Sequence, residues 1–281
     1  MNSADRRTTS HPGHAHGHDH GHGAGLVRLL ELDAIVMQSF LAEATEWVGS
    51  ITDARRVADV GSGIGASTVA LAETFPESSV VAIDVSVEML AKVRERAARH
   101  GLDKRVAAVQ VDIEQPWPDL GLFDVIWASS VLHEVDADAV LGRLALALED
   151  EGVLIVVEMD TPPTFLPDPT LEKRIHAFLR RLPSGQAAHP DWTEHLERTG
   201  FAITERRTFV VDQVPDDQRS TAEFARRYLE RVRPYVSDLL VAADLEALDA
   251  LLQPDGPTSL EQLEGRLRVR GSRTAWSARR A

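Results

Sequence analysis

Val57-Ala58-Asp59-Val60-Gly61-Ser62-Gly63-Ile64-Gly65 is the stretch that decides the fold. Its apolar start predicts a buried strand, and its alternating glycines allow the backbone to turn sharply and to approach a ligand closely. The segment that follows is compatible with a helix, whose first N–H groups would face the same ligand. A strand, a glycine-rich turn and a helix in this order indicate a nucleoside site at the carboxyl end of the strand.

An acidic residue follows at the spacing expected for ribose recognition. Residues 80–83 predict a second strand, which ends at Asp84. In nucleotide-binding folds an acid about 20 residues after the glycines accepts the ribose hydroxyls. Asp84 is therefore the candidate ribose ligand.

The glycines alone leave two ligand classes open, because Gly61, Gly63 and Ala66 also satisfy the dinucleotide pattern of NAD enzymes. The acids around them separate the two classes. Asp59 precedes the loop, and Asp112 ends a third predicted strand. With Asp84 they favour a ligand that carries an ammonium and a sulfonium over one that carries two phosphates.

Four segments, taken together, resemble the class I S-adenosylmethionine-dependent methyltransferases. They are DVGSGIG (59–65), AIDVSVEML (82–90), VQVDI (109–113) and FDVIWASSVLHE (123–134). Residues 55–160 carry most of the likeness, which is greatest to the small-molecule branch that includes the ubiquinone/menaquinone C-methyltransferases. The resemblance implies transfer of a methyl group from S-adenosyl-L-methionine to a small-molecule acceptor by in-line displacement.

The resemblance also implies roles for individual residues. Gly61, Ser62 and Gly63 would lie against the methionine part of the cofactor, and Asp59 would take its ammonium directly or through water. Asp84 would hold the ribose hydroxyls. The remaining cofactor-binding candidates are Val85 and Met89 beside the adenine ring, Asp112 and Ile113 at the adenine edge, and Ser129 near the sulfonium.

His133 and Glu134 follow the fourth predicted strand and are the catalytic candidates. A general base is needed only when the acceptor is a hydroxyl, an ammonium or a carbon acid. A histidine at this point recurs in the family as a structural residue, which favours packing or support of the cofactor loop. His176 and His189 fall in the acceptor region as surface histidines, and no compact acidic ligand set predicts a catalytic metal.

The hydrophobic pattern predicts an α/β fold, with a parallel sheet that helices cover on both faces. The resemblance implies that this fold is of the Rossmann-like type, with a seven-stranded, mostly parallel sheet and an antiparallel last strand. One N-terminal helix is predicted at 26–48, and Ser220 and Glu223 have capping-box spacing. Helical insertions at about 161–199 and 215–262 would cover the acceptor. The predicted strands are 56–60, 80–84, 106–111, 123–128, 152–157, 201–211 and 267–278, with helices at 66–75, 86–99 and 136–148. The fifth strand ends at Glu158, and the prolines after Asp160 predict a loop.

Composition agrees with one enzyme domain. A chain of 281 residues can bury one large α/β core. Its net charge of −14 argues against nucleic acid as a partner, because phosphate backbones require a basic surface. No apolar run reaches the ~20 residues of a membrane span and no secretory signal is visible, so we expect a cytoplasmic protein.

The first 24 residues have a different composition from the rest. Residues 11–23 (HPGHAHGHDHGHG) carry six histidines and almost no apolar side chains. This composition predicts a disordered tail that binds divalent metals only incidentally. We therefore assign residues 25–281 to the methyltransferase domain.

Two rival functions remain at this point. An NAD-dependent oxidoreductase would use the same first segments, but it needs a second mononucleotide-binding half, and none is found. A non-catalytic S-adenosylmethionine-binding protein would keep the fold without turnover, since a fold alone does not establish function. The sequence leaves the oligomeric state open.

Overall fold

The computed structural model describes residues 23–181 and 191–281. Seven strands of these ranges form one sheet in the order β3-β2-β1-β4-β5-β7-β6. The strands are β1 (Arg56–Val60), β2 (Ser79–Asp84), β3 (Val106–Gln110), β4 (Phe123–Ser129), β5 (Leu148–Thr164), β6 (Phe201–Gln213) and β7 (Val269–Arg280). The helices are α1 (Gly23–Val36), α2 (Gln38–Ile51), α3 (Ala66–Thr74), α4 (Val87–Arg99), α5 (Ala137–Ala147), α6 (Thr170–Leu179), α7 (Thr193–Arg198), α8 (Gln218–Val236) and α9 (Ala242–Leu252).

The sheet is parallel from β3 to β5, and β7 runs antiparallel to both of its neighbours, β5 and β6. The predicted fold class is confirmed. Its parallel strands are nearly continuous apolar runs because both faces are covered. Their carboxyl ends lie along one edge, where the glycine loop follows β1 and where β2 and β4 end at Asp84 and Ser129.

Two apolar layers cover the sheet. On one face, Phe40 and Trp47 of α2 pack with their ring edges against Phe209 of β6. On the other face, Leu141 of α5 and Trp276 of β7 belong to a second buried cluster. Burial of such side chains stabilises the fold by roughly 1.5–3 kcal/mol each.

Strand β5 differs from the prediction. We expected it to end at Glu158 and a proline-rich loop to follow, but it continues to Thr164. Beyond Val157 it pairs only with β7, and register shifts between Met159 and Thr161 and between Thr161 and Thr164 interrupt the ladder. These irregularities allow prolines in a strand, because proline cannot donate to the ladder. We call residues 158–164, 208–213 and 269–274 the strand extension.

Two helix predictions were wrong in detail. The predicted helix at 26–48 is divided at Met37, whose backbone leaves the helical region, and becomes α1 and α2. The cap of α8 is Asp217, whose side chain accepts the Ser220 N–H, rather than a Ser220–Glu223 capping box. Glu223 instead forms an ion pair with Arg28 of α1, which the local sequence could not reveal.

The His-rich tail falls outside the described residues up to position 22, as does His189. Helix α1 begins at Gly23, inside the range assigned to the tail. Between residue 23 and the C-terminus, leaving aside 182–190, no helix has the length and apolar character required to cross a bilayer.

Candidate functional site

The glycine loop is fixed against the neighbouring strand. The Gly61 and Ser62 N–H groups both donate to the Ile83 carbonyl oxygen of β2, at N···O distances of 2.9 and 3.0 Å. Gly61, Gly63 and Gly65 have φ values of +69°, +50° and +77°, a region that L-residues rarely adopt. The loop therefore has a conformation that its glycines make accessible, and it places the start of α3 at the carboxyl edge.

Gly61→Ala is expected to destabilise the protein by ~2–4 kcal/mol, since it adds steric overlap to the cost of a left-handed backbone. A Cβ atom at Gly61 would lie 2.5 Å from the Val131 Cγ2. Gly101→Ala is the matched control, because Gly101 has φ +68° and nothing within 4 Å of the added carbon. Urea unfolding of both variants measures the difference; equal losses of stability would show that the Val131 contact is irrelevant.

Asp59 lies near the end of β1, and only 1% of the residue is exposed. Its Oδ2 accepts hydrogen bonds from the hydroxyls of Ser67 and Thr68, at 2.8 and 2.6 Å. Burial raises the pKa of Asp59 to about 6, against the opposing effect of these two donors. The carboxylate anchors the first turn of α3, and its contact with a cofactor ammonium stays a prediction.

Asp84 joins two loops at the site. Its Oδ2 accepts the Gly63 N–H and its Oδ1 accepts the Ser86 N–H, each at 2.8 Å. The carboxylate stays partly exposed and each oxygen has a second lone pair, so it can still accept hydroxyl groups. Ser86 in turn caps α4 by accepting the Met89 N–H. Asp84 therefore lies at the carboxyl edge beside the glycine loop, and its contact with a ribose stays a prediction.

Helix α1 covers the glycine loop. Leu30 has its Cδ1 3.4 Å from the Cβ position of Gly63. Met89 is buried in a small cluster with Val27 of α1 and Ile64. The side chain of Val85 is 61% exposed next to Asp84, so an adenine ring would find one open apolar wall and one covered by α1.

The other predicted cofactor residues lie along the same edge. Asp112 is exposed two positions beyond the end of β3, and Ile113 is buried under it in the core. Ser129 is the last residue of β4 and is partly buried. The buried Ser62 Oγ has no hydrogen-bond partner among the described residues, which fits a polar ligand group at the loop.

His133 is held between two carboxylates. Its Nδ1 lies 2.9 Å from the Glu158 Oε2, and its Nε2 lies 3.1 Å from the Glu134 Oε1. Burial lowers the pKa of His133, but the hydrogen bonds and charges of Glu134 and Glu158 prevail and raise it to about 9. The imidazole is therefore protonated at neutral pH, which is the wrong state for a general base.

Glu158 was not among the predicted site residues, although the fifth predicted strand ends there. Its side chain is buried, and Oε1 accepts the Leu132 N–H at 3.2 Å. Together with the bond to His133, this contact fixes the turn after β4, where Val131 touches the glycine loop. The sequence feature that could have identified Glu158 as a site residue was its position at the carboxyl end of a parallel strand.

Glu158→Gln is expected to lower the pKa of His133 toward its ordinary value of about 6.5, because one of the two carboxylate partners becomes neutral. In the native protein His133 titrates near 9. Stability from this group is complete below about 6.5 and is lost as the pH rises through about 9. NMR titration of the ring checks the shift, with the exposed Glu151→Gln as control; an unchanged pKa in Glu158→Gln would contradict the assignment.

A second set of polar groups lies between α6 and α8. Glu172 is fully buried and accepts the Phe165 and Leu166 N–H groups, while burial raises its pKa to about 7. His176 bonds to the Tyr228 hydroxyl at 3.1 Å. Burial, with a smaller effect of the Arg180 charge, lowers the pKa of His176 to about 4. His176 was predicted to lie on the surface, but it is 3% exposed.

A family model described as a methyltransferase domain matches residues 51–200, more than half of the chain. The chain belongs to the class I S-adenosylmethionine-dependent methyltransferases. The matched range includes the glycine loop, Asp84, Asp112 and the turn after β4. Membership disfavours the NAD-dependent oxidoreductase.

Curated relatives of this methyltransferase match only in part. A trans-aconitate 2-methyltransferase of Rhodopseudomonas palustris is 36% identical over 107 residues, which are 38% of this chain and 39% of that protein. A carboxy-S-adenosyl-L-methionine synthase of Chromohalobacter salexigens is 32% identical over 127 residues, 44% of this chain and 47% of that protein. The chain therefore spans less than half of the length of these relatives.

Solved structures share the fold over most of the methyltransferase. A Bacillus halodurans structure whose name assigns it to the methyltransferases superposes with a TM-score of 0.55 at 21% identity, covering 86% of this chain and 98% of the other. The [4+2]-cyclase SpnF superposes with a TM-score of 0.51 at 22% identity, covering 85% and 81%. At this identity the likeness concerns the fold alone, and it includes a protein named for another reaction.

Proposed function

We propose that this methyltransferase transfers a methyl group from S-adenosyl-L-methionine to a small-molecule acceptor by in-line displacement. The observation that carries the proposal is the set of carboxylates at the ends of β1, β2 and β3 around a glycine loop. Asp59, Asp84 and Asp112 surround a ligand of cationic character more favourably than one with two phosphates.

The residues fit this cofactor in the following roles. Gly61, Ser62 and Gly63 face its methionine part, and the unpaired Ser62 Oγ supplies a polar contact. Asp84 accepts the ribose hydroxyls while it holds the Gly63 N–H. Val85, Met89, Asp112 and Ile113 surround the adenine, and Ser129 lies near the sulfonium. Asp59 is buried beneath the loop. It supports the cofactor ammonium indirectly, through its hydrogen bonds to α3 or through water.

The bound cofactor supplies an electrophilic methyl group, so the protein has mainly to align the acceptor and exclude water. We assign His133 and Glu134 to this alignment rather than to proton transfer. The ion-paired imidazolium keeps the turn after β4 against the glycine loop through Glu158 and Leu132. A rigid turn at this point keeps the acceptor in line with the methyl group.

Calorimetry tests the proposal directly. The protein is expected to bind S-adenosyl-L-methionine and S-adenosylhomocysteine and to ignore NAD, because its pocket is acidic. Incubation with methyl-labelled cofactor and a panel of small acceptors then measures transfer. Binding without transfer to any acceptor would favour the non-catalytic alternative.

The identity of the acceptor is a finer question. The sequence motifs favour a ubiquinone/menaquinone C-methyltransferase-like enzyme, whereas a relative reported above is named for trans-aconitate. A quinone-precursor carbon requires a general base, and a carboxylate does not. Including both classes in the acceptor panel separates the two proposals.

The domain organisation is part of the same proposal. We assign residues 25–281 to one methyltransferase domain with α1 as its first helix, and the His-rich residues before it to a tail without a role in catalysis. The insertions around α6–α7 and α8–α9 would cover the acceptor. Limited proteolysis with mass spectrometry tests the boundary, since cleavage well inside 25–281 would contradict it.

A further inference from the structure

An open cavity of ≈ 520 Å³ lies between α6 and the strand extension. Pro162, Val210, Val211 and Gly271 give it apolar walls, and Thr161 and Ser272 add hydroxyl groups. Its rim carries Lys173 of α6, Arg180 just after α6 and Arg270 of β7, with His176 between the first two. A cavity of this size accommodates a small organic molecule.

The charge of the cavity is opposite to that of the chain. Lys173 and Arg180 are exposed and have no carboxylate partner within residues 23–181 and 191–281. Asp212 is the acidic lining residue, and its charge is offset by ion pairs with Arg268 at 2.5 Å and Arg270 at 3.5 Å. The cavity is therefore cationic in a protein of net charge −14, which favours an anionic ligand.

Part of the cavity lining, Arg270 and Ser272, shares a face of the sheet with Glu158, whereas Gly271 and Val211 belong to the other face. On β7, residues 270, 272, 274 and 276 alternate with the residues of the other face. Glu158 is paired with Thr274, whereas the cavity begins at Ser272, about 7 Å farther along the strand. A hydroxyl of Thr274 donates to Asp160 between them. Ser272 is therefore the lining residue from which an acceptor would extend toward Glu158 and the turn after β4.

Asp160, the carboxylate on this path, already accepts the Thr274 hydroxyl, and neither of the nearby histidines is a well-matched general base. His133 is already protonated, and His176 is a weak base whose Nε2 is bonded to Tyr228. Glu172 is occupied by two backbone N–H groups. An acceptor that is nucleophilic without losing a proton suits such a site, and a carboxylate is one.

We propose that the cavity binds a carboxylate group of the acceptor, and that a second carboxylate of the same molecule is the one methylated. The proposal rests on the proposed function. The acceptor oxygen forms a bond to the methyl carbon while the bond between that carbon and sulfur breaks. The electron pair of the broken bond stays on sulfur. Carboxylate and sulfonium become a neutral ester and a neutral thioether, so no proton is released.

The test compares two double variants in and just after α6. Each variant loses two positive charges. Lys173→Gln with Arg180→Gln removes cations of the cavity. Arg174→Gln with Arg181→Gln is the control, because Arg174 pairs with Asp244 and Arg181 lies over the Phe178 ring, away from the cavity. Calorimetry without cofactor uses tricarballylate as probe and its uncharged triamide as reference.

The cavity variant is expected to bind tricarballylate about tenfold more weakly or worse, since charge-assisted hydrogen bonds are lost, while the control changes by less than about twofold. Its KM for di- and tricarboxylic acceptors should rise by a similar factor with kcat nearly constant. The methylated product should release methanol in mild alkali, as a methyl ester does.

The outcomes separate this inference from the proposed function. If S-adenosyl-L-methionine does not bind the native protein, the proposed function fails. If it binds and labels a product that is stable to alkali, or if both double variants keep native tricarballylate affinity and KM, transfer stands and the carboxylate cavity is wrong. Circular dichroism and urea unfolding of both variants exclude misfolding as the cause of weaker binding.

Discussion

Asp84→Ala is expected to weaken the binding of S-adenosyl-L-methionine by a factor of about 10–100, the equivalent of ~1.5–3 kcal/mol for a charged hydrogen-bonding partner. Two effects act together. The ribose loses its acceptor, and the Gly63 N–H loses the oxygen that lies 2.8 Å away. Isothermal titration with the cofactor measures the change.

Two further variants serve as controls for the Asp84→Ala measurement. Asp103→Ala removes an exposed acid distant from the loop and should leave affinity within about twofold of the native value. Asp84→Asn keeps one oxygen for the Gly63 N–H but removes the charge, so it separates support of the loop from recognition of the ribose. Native affinity in a folded Asp84→Ala protein would remove Asp84 from the cofactor site.

Local sequence was sufficient to predict the glycine loop and the strand ends that form the site. Strand, glycines and acid lie within one βαβ unit, where each residue type is required by the geometry of the turn or the strand end. The positive φ values of Gly61, Gly63 and Gly65 and the position of Asp84 agree with that logic. The carboxyl ends of parallel strands necessarily meet at one edge, so the neighbouring residues were also brought close.

The ion pairs and hydrogen bonds around the site could not be predicted from local sequence, because they join segments that are distant along the chain. Glu158 of β5 contacts His133 in the turn after the neighbouring strand β4, and Glu223 of α8 forms an ion pair with Arg28 of α1. The prolines after Asp160 indicated a loop, but pairing with β7 extends the strand through them. Tertiary pairing overrode a local preference in that segment, as it commonly does in strands.

Phe224→Ala is expected to destabilise the protein by about 3–5 kcal/mol, the usual cost of a large cavity in a core. Phe224 is a buried aromatic residue of α8. Its ring lies 5.2 Å from that of Phe165, edge to face, between the end of β5 and the start of α6. The segment thought to cover the acceptor is therefore attached to the central core, and urea unfolding measures the loss.

Tyr235→Ala on the same helix is the control, because Tyr235 is 45% exposed and its truncation should cost no more than about 0.5 kcal/mol. Tyr228→Phe adds a milder test, since it removes the hydroxyl bonded to His176 and keeps the ring near Phe165. If α8 were a loosely attached cover, Phe224→Ala would reduce acceptor affinity without lowering the free energy of unfolding. The buried ring instead predicts that stability falls first, and that acceptor affinity falls only as α8 detaches from Phe165.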